Sequence, residues 1–93
     1  MPLPTAKQVT CPVLILHGDK DAHVPVEHAH YLAQAIRSGG NPDVTVRIFE
    51  NINHPFLPDP DGRKSGYLRL LRNGAVVPDT VLDTITVWLV AHL

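Results

Sequence analysis

Two short stretches carry side chains able to move protons: "LHGDKDAHVP", residues 16–25, and "NINHPF", residues 51–56. The first sets Asp19, Asp21 and His23 directly behind the apolar run Val13-Leu14-Ile15-Leu16, and the second offers His54. An aspartate that accepts the Nδ1 hydrogen of a histidine fixes the ring's tautomer and stabilises its protonated form, leaving Nε2 free as a general base. That pairing would suit the acid and base of a nucleophilic hydrolase. A solvated turn after a strand would also be polar, so the chemistry requires that one carboxylate and His54 meet in space. The requirement falls on the elements that carry them.

Residues 13–16 form a continuous apolar run of the kind found in a strand covered on both faces, and Gly18 ends it. From Pro25 to Arg37 the pattern becomes helical. Pro25 suits a first helical position, Glu27 the first turn, and Ala29, Leu32, Ala33 and Ile36 make one apolar stripe. Ser38-Gly39-Gly40-Asn41-Pro42 stops this helix. Val44, Val46 and Ile48 then alternate with Thr45, Arg47 and Phe49, the period of a strand, and the polar positions place it nearer a sheet edge than the first. Residues 51–54 read as a turn, and 55–77 as a proline- and glycine-rich loop with a short apolar piece at 67–71. Pro78 and Asp79 open a last helix with Val81, Leu82, Ile85, Trp88 and Leu89 on one side. Residues 1–11 read as a polar lead-in.

The order strand, helix, strand, long loop, helix predicts an α/β fold with a right-handed parallel crossover. Both reactive loops then leave the carboxyl ends of parallel strands and share one rim of the sheet, where open α/β sheets gather their reactive groups. Two strands are too few for a stable sheet. The chain therefore reads as one end of a larger one.

"PVLILHGDKDAHVP", followed by helix, strand and "NINHPF", resembles the C-terminal end of an α/β-hydrolase, closest to the dienelactone hydrolase and prolyl oligopeptidase (S9 serine peptidase) branches. His17-Gly18, Asp21 and Val24-Pro25 match the H-G-x-x-D-x-x-V-P segment of those families, and His54 falls on their catalytic histidine. The resemblance covers essentially the whole chain. It implies residues 1–93 as a partial α/β-hydrolase domain, the C-terminal strand-helix-strand-loop-helix portion of its parallel sheet. Asp21 would be the acid and His54 the base of a Ser-Asp-His triad, with Asp19 a solvated or turn-capping neighbour.

Two departures from the family pattern stand out. The glycine usual before the catalytic histidine is Asn53, a residue that also tolerates positive φ. There is no G-x-S-x-G nucleophile elbow: the only serines are Ser38 in "IRSGGN" and Ser65 in "RKSGYL". Since the triad order in this fold is Ser, acid, His, the serine, the oxyanion-hole donors and the first strands are expected upstream of Met1. The isolated chain is then expected to be inactive and marginally stable, leaning on the missing N-terminal half or a second copy of itself. The alternative is a non-catalytic α/β-hydrolase-like remnant or interaction module.

The remaining composition sets bounds. Ninety-three residues, 44% hydrophobic and 18% charged, describe one small globular domain at most. A formal charge of −1 gives no electrostatic case for nucleic acid or a membrane surface, and no apolar run approaches a membrane span. One cysteine, Cys11, excludes an internal disulfide and argues against a cysteine zinc site. The start "MPLPTAKQV" lacks a signal-peptide pattern, so a genuine N-terminus would imply a cytoplasmic protein. His28 and His30, two apart on a helix, point away from each other, and with His23 they read as surface residues rather than metal ligands. His17 is assigned a structural place under the acid loop. No cofactor is expected, and the expected substrate of the complete enzyme is a small-molecule ester, lactone or peptide. Phe56 and Leu57 could wall its pocket. Arg63, Lys64, Arg69 and Arg72, offset by Asp59 and Asp61, read as a solvated loop.

Overall fold

The computed structural model describes residues 3–60, 62 and 66–93. In chain order the elements are α1 (Leu3–Ala6), β1 (Val13–Gly18), α2 (Glu27–Ser38), β2 (Val44–Phe49), α3 (Tyr67–Arg72) and α4 (Asp79–Ala91). β1 and β2 pair in parallel, in register from Val13 opposite Val44 to Gly18 opposite Phe49. α2 is the crossover between them, as the change of hydrophobic period predicts. An antiparallel pair could close with a short hairpin; a parallel one needs a connection of this length.

The core sits between α2 and one face of the sheet. Ala6, Ala33, Ala35, Ile36 and Val44 are buried together, with Val9, Val13, Ile15, Leu32 and Val46 packed against them. The alanines let the helix approach closely, so Ile36 supplies most of the bulk; full burial of such a side chain is worth about 1.5–3 kcal/mol. Regular α2 starts at Glu27 rather than Pro25, because residues 25–28 form a tighter turn in which the His28 amide bonds the Pro25 carbonyl at 3.0 Å. Gly39 and Gly40 end the helix, the latter at φ 98°. Asn41 then folds its buried amide back on the lead-in, donating to the Cys11 carbonyl at 2.7 Å and accepting from the Asp43 amide at 3.0 Å.

The lead-in is not merely polar. It contains the turn α1, and Ala6 is wholly buried. Nor is β1 covered on both faces: residues 13–16 are all half-buried. On the second face Leu14, Thr45 and Arg47 line an open cavity of about 410 Å³ with Asp83, Thr84, Val87, Trp88 and Ala91 of α4. The apolar stripe expected on α4 is only partly covered, for Val81 is buried while Leu82 and Leu89 remain half-exposed. Accordingly the chain is flat, 44 × 28 × 16 Å, and its radius of gyration of 14.7 Å exceeds the roughly 12 Å usual for this length.

At the carboxyl ends of the strands the pairing continues past the sheet. The Asp19 amide bonds the Phe49 carbonyl and the Lys20 amide the Ile52 carbonyl, both at 2.9 Å. The two loops therefore leave the sheet stitched together.

Candidate active site

Gly18 is where the two loops come closest. A Cβ built there would stand 2.2 Å from the Ile52 carbonyl oxygen, so only glycine lets the second loop lie against the end of β1. Beyond it Asp21 turns its carboxylate inward, with the side chain only 6% exposed. Oδ1 accepts the amides of His23 at 2.7 Å and Val24 at 2.8 Å, which folds residues 21–24 around the carboxylate. Oδ2 lies 2.8 Å from His54 Nδ1, across 33 residues of chain. The separation falls inside the roughly 2.6–3.2 Å of hydrogen-bonding reach. A carboxylate can only accept, so the imidazole carries its proton on Nδ1 and leaves Nε2 as an acceptor.

The electrostatics agree. Burial by itself would push the Asp21 carboxyl up. The hydrogen bonds from His54, Val24 and His23, together with the His54 charge, outweigh that and hold it below its ordinary value of 3.8. An acid that stays ionised can keep orienting its histidine.

His17 lies beneath. It is buried, and its Nε2 donates to the Val24 carbonyl at 2.8 Å while standing 3.5 Å from Asp21 Oδ2. It props the acid loop from beneath. Asp19 is exposed but not idle, since its Oδ1 accepts the Asn51 amide at 2.7 Å and so ties the first loop to the second. The acid on the ring is Asp21, not Asp19.

Asn53 behaves differently from the expectation. The left-handed residues of this loop are Asn51, at φ 55°, and Phe56, at φ 62°, so Asn53 does not replace a glycine by adopting positive φ. Instead it is fully buried, accepting the Leu57 amide on Oδ1 at 2.8 Å and donating Nδ2 to Asp59 Oδ2 at 3.2 Å. Asp59 is thus buried rather than part of a solvated charge balance. Its other oxygen accepts the Gly62 amide at 3.0 Å, and its own amide bonds the Asn51 carbonyl at 2.7 Å. Leu57 packs under the loop and Phe56 is half-buried. Sequence reasoning missed this pair; the recurrent Pro-Asp of "LPDPDG" signals a turn but not its burial.

His23 also has an unforeseen place: its ring centroid is 4.6 Å from that of His54, tilted by 47°. His28 and His30 lie exposed on α2, and Cys11 is an exposed free thiol. Among the described residues no three His, Cys, Asp or Glu side chains are grouped to hold a metal ion. Ser38 bonds the Ala35 carbonyl at the end of α2 and takes no part in the rim. Ser65, Asp61, Arg63 and Lys64 lie outside the described residues, while Arg69 and Arg72 are exposed on α3.

A parallel crossover with a contacting aspartate and histidine on its carboxyl rim is compatible with an α/β-hydrolase. Comparison with known proteins agrees: residues 1–72 match the prolyl oligopeptidase family, peptidase S9. The chain belongs to that family. It is 28% identical over 88 residues to a monoacylglycerol lipase of Mycolicibacterium smegmatis, spanning 95% of this chain and 25% of the relative. It is 30% identical over 76 residues to a Yersinia pestis protein provisionally named carboxymethylenebutenolidase, spanning 75% of this chain and 28% of that one. To the uncharacterized peptidase YuxL of Bacillus subtilis it is 42% identical over 53 residues, 57% of this chain and 8% of the other. The chain thus spans about a quarter of the first two relatives and less of the third. No solved structure matches.

Proposed function

We propose that residues 1–93 supply the acid and the base of a serine hydrolase in which Asp21 orients His54 and His54 Nε2 takes the proton of a serine. The serine and the oxyanion-hole donors belong to a part of the domain outside these residues. The observation that carries this reading is the 2.8 Å contact between His54 Nδ1 and a buried, ionised Asp21, with the His54 side chain still 49% exposed. The ring is anchored at one end and open at the other, as a general base must be.

During acylation the serine Oγ attacks the substrate carbonyl while Nε2 accepts its proton, and the resulting imidazolium is stabilised by Asp21. The same proton is then delivered to the leaving alcohol or amine. Water repeats the sequence in deacylation. An ester or peptide carbonyl is the substrate class, supported by relatives whose names are a lipase, a butenolidase and a peptidase.

The test joins residues 1–93 to the nucleophile-bearing portion of a family relative and follows p-nitrophenyl ester hydrolysis. Turnover by the joined protein and its loss in His54→Ala are expected, with no enzymatic rate from the 93 residues alone. Turnover by the 93 residues alone, abolished by His54→Ala, would overturn the division of labour.

A further inference from the structure

We infer that Asn53 and Asp59 are positioning residues for His54, acting as a buried amide–carboxylate pair that fixes the loop from which the base projects. The inference rests on the catalytic reading of His54 but not on turnover by this chain. His54 follows Asn53 directly, so any rotation of the Asn53 backbone swings the imidazole away from Asp21. Backbone bonds hold the ends of this loop, the Lys20 amide on the Ile52 carbonyl at 2.9 Å and the Asp59 amide on the Asn51 carbonyl at 2.7 Å. Asn53 donates its amide to the Leu57 carbonyl at 3.0 Å and accepts the Phe56 amide on its own carbonyl at 3.0 Å. Those bonds close the short turn from which His54 projects.

The buried side chains add ties from within the loop. Asn53 Oδ1 holds the Leu57 amide, Nδ2 reaches Asp59, and Asp59 holds Gly62 and, through its own amide, Asn51. Both ends of the segment are thereby tied to one point beneath His54. Asn51 is in turn bound by Asp19 from the first loop. The chain of contacts runs from the acid loop, around the base, and back. Glycine before the histidine would leave Asp59 Oδ2 without its amide donor, so the asparagine here and the aspartate six positions on form a unit.

The direction of each bond makes the pair testable by exchange. In Asn53→Asp a carboxylate oxygen would face Asp59 Oδ2 at about the present 3.2 Å, two acceptors with like charge. In Asp59→Asn one amide N–H would face either the Asn53 amide or the Gly62 N–H, donor against donor. The double exchange Asn53→Asp with Asp59→Asn restores the three side-chain bonds described above: the new carboxylate accepts from Leu57 and from the new amide, whose oxygen accepts from Gly62.

The readout is the tautomer of His54, followed by long-range 15N–1H correlation spectra of the labelled 93-residue chain at alkaline pH, with circular dichroism to verify the fold. Asp21 holds the ring as the Nδ1–H form, which is the minor form of a free imidazole. In each single exchange, and in Asn53→Gly as the milder alteration, the Nδ1–H signal is expected to give way to Nε2–H while the helices persist. The double exchange is expected to return it. Folded single variants that keep His54 as Nδ1–H would overturn the inference, as would a folded double variant that does not recover it. In the joined hydrolase the same single exchanges should lower kcat by up to about 100-fold with KM little changed, the pattern of a displaced reacting group. If His54→Ala left hydrolysis intact, the proposed function would fall, yet the tautomer result would still decide the positioning role.

Discussion

The carboxyl rim of the sheet and the outer face of α4 are built on opposite principles. At the rim, Asp19, Asp21, Asn53 and Asp59 each bind at least one partner from the opposite loop or within their own, and of these polar side chains all but Asp19 are largely buried. On α4, Leu82, Val87, Leu89 and Val90 are half or more exposed, and one side-chain tie near the helix end is visible, from His92 to Asp43 at 3.1 Å. A polar network tolerates solvent at its border but requires every direction to be right. An apolar face has no directional demand, yet loses its driving force when left wet. The Asp21–His54 contact is therefore made within these residues, whereas the α4 face has buried only part of what it could.

The sharpest way to break this contrast is Asp21→Asn in the joined hydrolase. The shape would persist, but the amide can present a donor to Nδ1 and impose the wrong tautomer, so a fall in kcat of about 10⁴-fold is expected from ester-hydrolysis rates. A fall of only a few-fold would show that the rim needs less orientation than its bonds imply. Second in size is Gly18→Ala. With the new Cβ 2.2 Å from the Ile52 carbonyl, the loops must part, at a cost of about 1–3 kcal/mol in urea denaturation.

Acid titration separates the two regions further. The Asp21 carboxyl is held below its unfolded value of 3.8, so its contribution to stability is complete above that pH and lost as the pH falls through the lower folded value. Asp21→Asn should flatten the acid limb of a melting-temperature profile. His92 works in the reverse sense. Its Nδ1 faces the Trp88 carbonyl at 2.8 Å and its Nε2 faces Asp43, so both nitrogens meet acceptors and the imidazolium is favoured. The Trp88 bond foremost, then Asp43, raises its pKa above 6.5. Its contribution is present below 6.5 and fades as the pH rises through the folded value; Asp43→Asn should lessen that slope, the Trp88 bond keeping the rest. The smallest effect is expected from Val87→Ser with Val90→Ser, within about 0.5 kcal/mol in urea, because both side chains are already exposed. A larger loss would mean that the α4 face is covered in solution.

The periodic parts of this structure could be read from the sequence, because a period of two or of 3.6 reports which face is covered. β2 and α4 begin where the alternation and the Pro78-Asp79 start place them. That a carboxylate of the first loop could reach His54 was legible too, since parallel strands put both loops on one rim, while the choice of Asp21 over Asp19 came from the family resemblance. What stayed hidden has no period. Leu3-Pro4-Thr5-Ala6 is too short to show a stripe, and residues 67–72 carry leucines and arginines that fit a loop as well as the helix they form. Asn53 and Asp59 are hidden for another reason: whether a polar turn residue is buried depends on how the loop folds over itself. The approach of the His23 ring to that of His54 depends on loop side-chain directions, which spacing does not encode.

The crossover that separates acid from base has a kinetic consequence. Asp21 and His54 stand 33 residues apart, and everything between them is helix α2, strand β2 and their connections. While α2 is undocked the two side chains lie at opposite ends of a loosely closed loop, whose closure grows costlier only slowly with length. They meet when Ala33 and Ile36 seat on the sheet and the strands come into register. The pair is thus a late, long-range contact of the folding reaction. A probe of the His54 tautomer during refolding would time the docking of the crossover, well after a signal from isolated helix formation.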